Sequence, residues 1–284
     1  MNIALFHNMQ KPKTKTIAIG IKEFLIARGV KVFAENYQEL GENVSPLSEV
    51  EHKDIDFLIS LGGDGTILRL FHEYPDFEAP VLGINLGGLG FMADITVEEL
   101  YPSLTSLLKG EYSIQSCMMI EGKTDDGRSG FAINEIVVHR DQNACLIDLN
   151  LHVNGNYLNT FAADGIIIAT STGSTAYSLA AGGPILMPEL EAVVVTPICP
   201  HTISNRPIVL TPEREIRIQY VSDHGPIKVF FDGCEHFLIN SGEMFYITRS
   251  QRTFKVAMMS NYDYFRTLRT KLGWAGRLKS GSYS

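Results

Sequence analysis

A chain of 284 residues exceeds what one hydrophobic core usually serves, so two domains are expected. Hydrophobic residues make up 45% of it and charged residues 20%, a globular composition, and the net charge of −8 argues against general nucleic-acid binding. That charge still permits a small anionic ligand held by main-chain amides and a few cations.

In chain order, "NIALFH" from Asn2 reads as a strand. Thr16 to Arg28 suit a helix, with Ile17, Ile21, Phe24 and Leu25 on one face and Gly29 as the stop. "VKVFA", "IDFLISL" and "PVLGINL" read as further strands, with helical segments near Thr66–Glu73 and Val97–Lys109. Strand and helix in alternation predict a parallel sheet with helices on both faces, a Rossmann-like α/β domain.

Beyond Gly110 the rhythm changes. In "CLIDLNLHV" Ile147, Leu149, Leu151 and Val153 face one way, and Asp148, Asn150 and His152 the other. Asn154-Gly155 then supplies a hairpin turn. "EIRIQYV", "IKVFFDGCEHFLI" and "MFYITRS" repeat the theme, with Asp232-Gly233 as another turn and one interruption at Ser171–Ala181. This half reads as mostly antiparallel β. The tail after Asp263 is basic, with Arg266, Arg269, Lys271, Arg277 and Lys279, and suits a solvated helix or a segment packed on another domain. Cys117, Cys145, Cys199 and Cys234 lack the spacing of a zinc site or disulfide framework and read as reduced thiols. No apolar run approaches the ~20 residues of a membrane span, and the first residues do not form a signal peptide, so a cytoplasmic protein without nucleic-acid or membrane partners is expected.

Glycine stretches carry the chemistry. "LGGDGT" follows a strand and opens a helix, a setting in which main-chain N–H groups and the helix dipole favour an anion. Asp64 would repel a phosphate there; it suits a base, a metal ligand or a tight turn. "GINLGGLGFMAD" follows the next strand, and Gly88-x-Gly90-x-x-Ala93 matches the dinucleotide fingerprint only formally, with no suitable acid ~20 residues on. Two such turns at successive strand ends line the carboxyl edge of a parallel sheet, where ligands usually bind. A Walker A loop is absent, because Cys117 stands where Gly122-Lys123-Thr124 would need its first glycine. A third stretch, "ADGIIIATSTGSTAYSLAAGGPI", ends a buried run in small hydroxyl residues. Asp164 can accept from ribose hydroxyls or an amide, and Tyr177 can stack on a base or sugar. Asn134 and Glu135 can read an adenine edge or grip ribose hydroxyls; either site also has an ordinary packing or turn reading.

Taken in order, "GGDGT" at 62–66, "GINLGGLGF" at 83–91, "NE" at 134–135, the stretch at 163–185, "PICPHTISNRPIVL" at 197–210 and "FDG" at 231–233 closely resemble the NAD kinase family over nearly the whole chain. The resemblance implies an α/β nucleotide-binding domain at 1–115, a β-rich, β-sandwich domain at 116–260 that binds NAD, and a tail at 261–284 returning to the first domain. It implies transfer of the γ-phosphoryl group of ATP to the 2′-hydroxyl of the adenosine ribose of NAD, giving NADP, with Mg²⁺ or another divalent ion and a homodimer or homotetramer. By position it makes Asp64 the general base, with Gly65 beside it and Arg69 able to reach a phosphate. Asn134 and Glu135 would hold NAD; Asp164 would contact the dinucleotide, often from a neighbouring subunit; Thr175, Ala176, Tyr177 and Ser178 would line the site. No residue is assigned to a metal. Three positions depart from the family pattern: Ser171 replaces a proline, Ala162 and Ala163 stand where an arginine is common, and Cys234 replaces a glutamine. Loss of that arginine should weaken a phosphate contact near Ala162 unless Arg69 or a tail residue substitutes. A kinase for a lipid or sugar alcohol would share GGDGT but not TGSTAYS, and a non-catalytic dinucleotide sensor would not need Asp64. Polyphosphate as an alternative donor stays open.

Overall fold

The computed structural model describes residues 1–7, 12–142, 145–202, 204–222 and 225–274. Arg277 and Lys279 of the basic tail lie outside the described residues. The chain forms two compact units, Met1–Gln115 with residues from Lys255 onward, and Ser116–Phe254.

The first unit holds strands β1 Asn2–His7, β2 Lys31–Ala34, β3 Val44–Pro46, β4 Phe57–Leu61 and β5 Val81–Ile84, with helices α1 Pro12–Ile26, α2 Tyr37–Leu40, α3 Asp64–Glu73 and α4 Leu100–Lys109. The strands lie parallel in the order β3-β2-β1-β4-β5. Every residue of β4 and β5 is buried, which is why both read as continuous apolar runs rather than alternating ones. Ile3, Leu5, Ile59, Leu61, Leu82 and Ile84 pack with Ile21, Leu25, Leu104 and Leu107 of the helices in one core. The first helix begins and ends earlier than its apolar face predicts, and α4 starts at Leu100 rather than Val97. There Glu99 turns back to accept from the amide (3.4 Å) and hydroxyl (3.1 Å) of Thr96, so Val97–Glu99 form the entry turn.

The second unit begins within β6 Tyr112–Thr124 and contains β7 Ser129–Ala132, β8 Glu135–His139, β9 Ile147–Val153, β10 Asn156–Ala163, β11 Gly165–Thr170, a short helix α5 Tyr177–Ala180, β12 Val193–Ile198, β13 Ile208–Leu210, β14 Ile216–Val221, β15 Ile227–Phe231, β16 Glu235–Ile239 and the start of β17 Met244–Met259. One antiparallel sheet runs β13-β12-β11-β8-β15-β16. A second antiparallel set runs β10-β9-β14-β17. Ile136, Val138, Ile166, Ile168 and Val229 of the first sheet share one core with Leu149, Leu151, Ile218 and Phe245 of the second, a β-sandwich. The period-two pattern of β9 is visible directly, since Ile147, Leu149 and Leu151 are buried. Helix α6 Tyr264–Leu272 belongs to the first unit; Asp263 caps it by accepting from the Arg266 amide at 3.1 Å.

Candidate active site

Asp64 is the first residue of α3, reached from β4 through an extended Gly63. Its carboxylate does not point at empty space. One oxygen, Oδ2, accepts from the amide of Phe91 at 2.9 Å, and Oδ1 accepts from the amides of Met92 (3.1 Å) and Ala93 (2.9 Å). The aspartate therefore ties the second glycine stretch to the first. A carboxylate offers about four acceptor positions, so one on Oδ2 is left for a donor from outside. Gly90 is needed for this: a Cβ there would overlap the Asp64 carboxylate and come within 2.7 Å of the Ala93 carbonyl oxygen.

From the other side Asn85 shapes the same loop, donating to the carbonyls of Gly88 (2.6 Å) and Ala93 (3.1 Å) and accepting from the Gly87 amide (2.7 Å). No helix follows the Gly88-x-Gly90 stretch directly, so it is not a dinucleotide fingerprint but a loop held in place by Asn85 and Asp64. The Phe91 ring lies 5.9 Å from Tyr264, and the Lys271 ammonium sits 5.4 Å from its centroid. Gly65 and Arg69 are exposed on the first turns of α3. Nearby Asp94 has its carboxyl pushed up to about 6, chiefly by burial, with its own main-chain amide opposing and the charges of Glu99 and Asp64 adding.

In the second unit three segments converge on Asn134 and Glu135. Both side chains are buried, and Asn134 Oδ1 and Glu135 Oε2 have no hydrogen-bond partner. Burial then pushes the Glu135 carboxyl up to about 8, with the Asp232 charge adding and the Tyr177 main-chain amide opposing. Thr170 holds the strand entry, its hydroxyl donating to the Ile133 carbonyl (2.7 Å) and its amide to the Asn134 carbonyl (2.8 Å). The glycine of TGST is dictated here, because a Cβ on Gly173 would strike the Asn134 main chain. Thr175 and Ala176 continue this turn. Tyr177 is 42% exposed, and its hydroxyl proton is held more tightly through burial first and then the charges of Cys199, Asp164 and Glu135. Ser178 is fully buried and shares a 2.9 Å hydrogen bond with Thr196.

Asp164 lies away from Glu135 along β11. Ala169 faces Glu135 across the sheet while Gly165 faces His139, so Asp164 lies at the far end of β11, roughly 17 Å along the strand. There it pairs with Arg140, Nε to Oδ1 2.7 Å. Ala162 sits on β10 opposite Asp148, and its carbonyl accepts from the His201 amide at 2.9 Å. Sequence reasoning missed Arg140 as the cation of this corner, and it missed Asp232 beside Glu135. Only the proximity of "HRD" to a strand end, and the position of Asp232 before a turn glycine, hinted at either. Among the described residues no group of three or more His, Cys, Asp and Glu side chains could hold a metal ion.

In the first unit, glycine loops at the carboxyl ends of parallel strands and a carboxylate with acceptor capacity to spare, and in the second a buried amide–carboxyl pair with two unsatisfied oxygens, each suit a nucleotide-using phosphotransferase. Residues 3–112 match the ATP-NAD kinase N-terminal domain and residues 133–259 the ATP-NAD kinase C-terminal domain. Over 277 residues, 98% of this chain and 99% of the relative, it is 56% identical to an NAD kinase of Protochlamydia amoebophila. An NAD kinase of Geotalea daltonii is 39% identical over 285 residues, covering 97% of this chain and 99% of its own. Among solved structures, yeast NADH kinase complexed with NADH aligns with a TM-score of 0.84 at 27% identity over 99% of this chain and 89% of that one. An NAD kinase from Archaeoglobus fulgidus in complex with ATP aligns with a TM-score of 0.77 at 28% identity over 97% and 100%. The chain belongs to the NAD kinase family and is a phosphotransferase of that type.

Proposed function

We propose that Asp64 is the proton acceptor of the reaction and that Asn134 and Glu135 hold NAD. The free acceptor position on Asp64 Oδ2 takes the proton of the adenosine-ribose 2′-hydroxyl as that oxygen bonds to the γ-phosphorus of ATP. The bond from γ-phosphorus to the bridging oxygen breaks, and ADP leaves beside NADP. Gly65 lets the donor approach the main chain, and Arg69 supplies positive charge. Thr175, Ala176, Tyr177 and Ser178 shape the wall around the dinucleotide. The observation that carries this reading is the pair of buried, unsatisfied atoms, Asn134 Oδ1 and Glu135 Oε2, because such atoms are costly unless a ligand meets them.

The absence of a three-residue metal cluster among the described residues suits an ion held mainly by phosphate oxygens and water, as Mg²⁺ prefers. Mg²⁺ or another divalent ion bound with ATP would neutralise phosphate charge. A homodimer or homotetramer, in which another copy brings its Asp164 to the dinucleotide, is the assembly the family resemblance implies; light scattering on the purified protein tests this. No described helix is long and apolar enough to cross a membrane. A cytoplasmic location rests instead on the reading of the four cysteines as reduced thiols.

The direct assay mixes protein, Mg²⁺ and NAD or NADH with ATP or polyphosphate, and reads NADP or NADPH with NADP-specific enzymes. ATP and NAD should give NADP. No product above background with any donor would reject the reading, and product with polyphosphate would widen the donor class.

A further inference from the structure

Asp232 repeats in the second unit what Asp64 does in the first. It lies in the turn between β15 and β16 with a left-handed φ of 51°, followed by Gly233 at 68°. Its Oδ2 accepts from the Ile133 amide at 2.8 Å, and its Oδ1 from the amides of Asn134 (2.8 Å) and Glu135 (3.0 Å). Its own amide returns a bond to the Glu135 carbonyl at 3.0 Å. Four hydrogen bonds thus join one turn to Glu135, the first residue of β8, and to the two residues before it. Those amides precede or open a strand, where the ladder leaves them without regular partners, and the carboxylate replaces that ladder.

Resting on the assignment of Asn134 and Glu135 to NAD, we propose that Asp232 is a positioning residue for dinucleotide binding, one that fixes the main chain beneath both side chains and sets the electrostatics of Glu135. A fixed main chain keeps Asn134 Oδ1 and Glu135 Oε2 aimed together while both are unsatisfied, so no rearrangement is needed when ligand arrives. The second effect follows from proximity. The groups facing the Glu135 carboxyl are the Asp232 carboxylate from the β15–β16 turn and, from α5, the Tyr177 main-chain amide and phenol. Asp232 is the acid among them and opposes a second negative charge beside it.

Asp232→Asn isolates the role. Asparagine tolerates the left-handed conformation and is favoured before glycine in such a turn, so the hairpin is kept. The amide has one acceptor oxygen, and whichever way it is turned its NH₂ faces a main-chain N–H. Initial rates across NAD and ATP concentrations and pH, on the full-length enzyme, should show the NAD KM raised about 10- to 100-fold. The kcat and the ATP KM should stay within about threefold, and the break in kcat/KM for NAD expected near pH 8 from the Glu135 carboxyl should move to lower pH. A purely structural role would not move that break. An NAD KM within twofold of wild type in the folded variant, or an unmoved break, overturns the proposal. If D232N does not fold, D232S, with a single acceptor on a shorter arm, is measured in the same way, and the same two results support or overturn the role. Wild-type NADP formation is measured alongside: its absence refutes the NAD kinase reading, whereas its presence with an unaltered variant refutes only the role of Asp232.

Discussion

Asp64 and the Asn134–Glu135 pair sit in different units and are built on opposite plans. The Asp64 carboxylate is nearly satisfied before any ligand binds, with three main-chain amides on it. Asn134 and Glu135 are held by their main chain, while one buried oxygen on each remains without a partner. The first arrangement fixes a carboxylate in place before any ligand arrives, which suits the proton-acceptor role proposed for it, since preorganisation lowers a barrier. The second leaves hydrogen-bonding capacity unused: its unsatisfied atoms cost stability in the free protein, a cost that the NAD contact proposed for them would recover. Chemistry and binding should therefore separate by mutation.

The sharpest break of that comparison is Asp64→Asn. Turnover should fall by about 10²–10⁴ while NAD affinity is largely kept, measured as kcat beside the NAD dissociation constant. Full activity in D64N would leave Asp64 with loop anchoring alone. Asn134→Ala attacks the other side. Its NAD KM should rise about 10- to 100-fold, for a lost contact in a buried site, with kcat changed far less. Gly90→Ala should resemble a mild D64N, because the added methyl displaces the Asp64 carboxylate. We expect kcat reduced about tenfold or more and the NAD KM unchanged; a selective KM effect would mean that the loop serves NAD rather than Asp64.

The smallest effect concerns stability. With its carboxyl pushed up to about 8, folded Glu135 keeps a proton that the unfolded chain releases at ordinary carboxylate pH. Its share of stability is present below that ordinary range and is lost as pH rises through about 8; Asp94 acts in the same sense through about 6. Replacing Glu135 by Gln removes the first of these losses. The Tm of E135Q relative to wild type should therefore rise between pH 5 and pH 9, by about 2–6 °C. A difference constant with pH would show that Glu135 is not held protonated.

Much of this was legible in the sequence because it is local. Period-two alternation in β9, buried runs in β4 and β5, and Asn-Gly or Asp-Gly turns are all written within a dozen residues. The two aspartate clamps were not legible, since Asp64 reaches residues 27 to 29 positions away and Asp232 reaches 97 to 99 positions back. Such pairings are decided by the tertiary fold, and a short motif records only one partner. Asp64 was found because glycines isolate it. Asp232 looked like turn chemistry, which it also is. The family pattern gives Asp164 and Glu135 each a contact with the dinucleotide, and only the strand register shows that the length of β11 lies between them.

The division of labour between the two plans is tested most directly by calorimetric titration of NAD into D64N and N134A, each beside wild type. D64N should bind NAD within about threefold of wild type, and N134A should bind it at least tenfold more weakly. Equal losses in both variants, or a loss confined to D64N, would contradict the account.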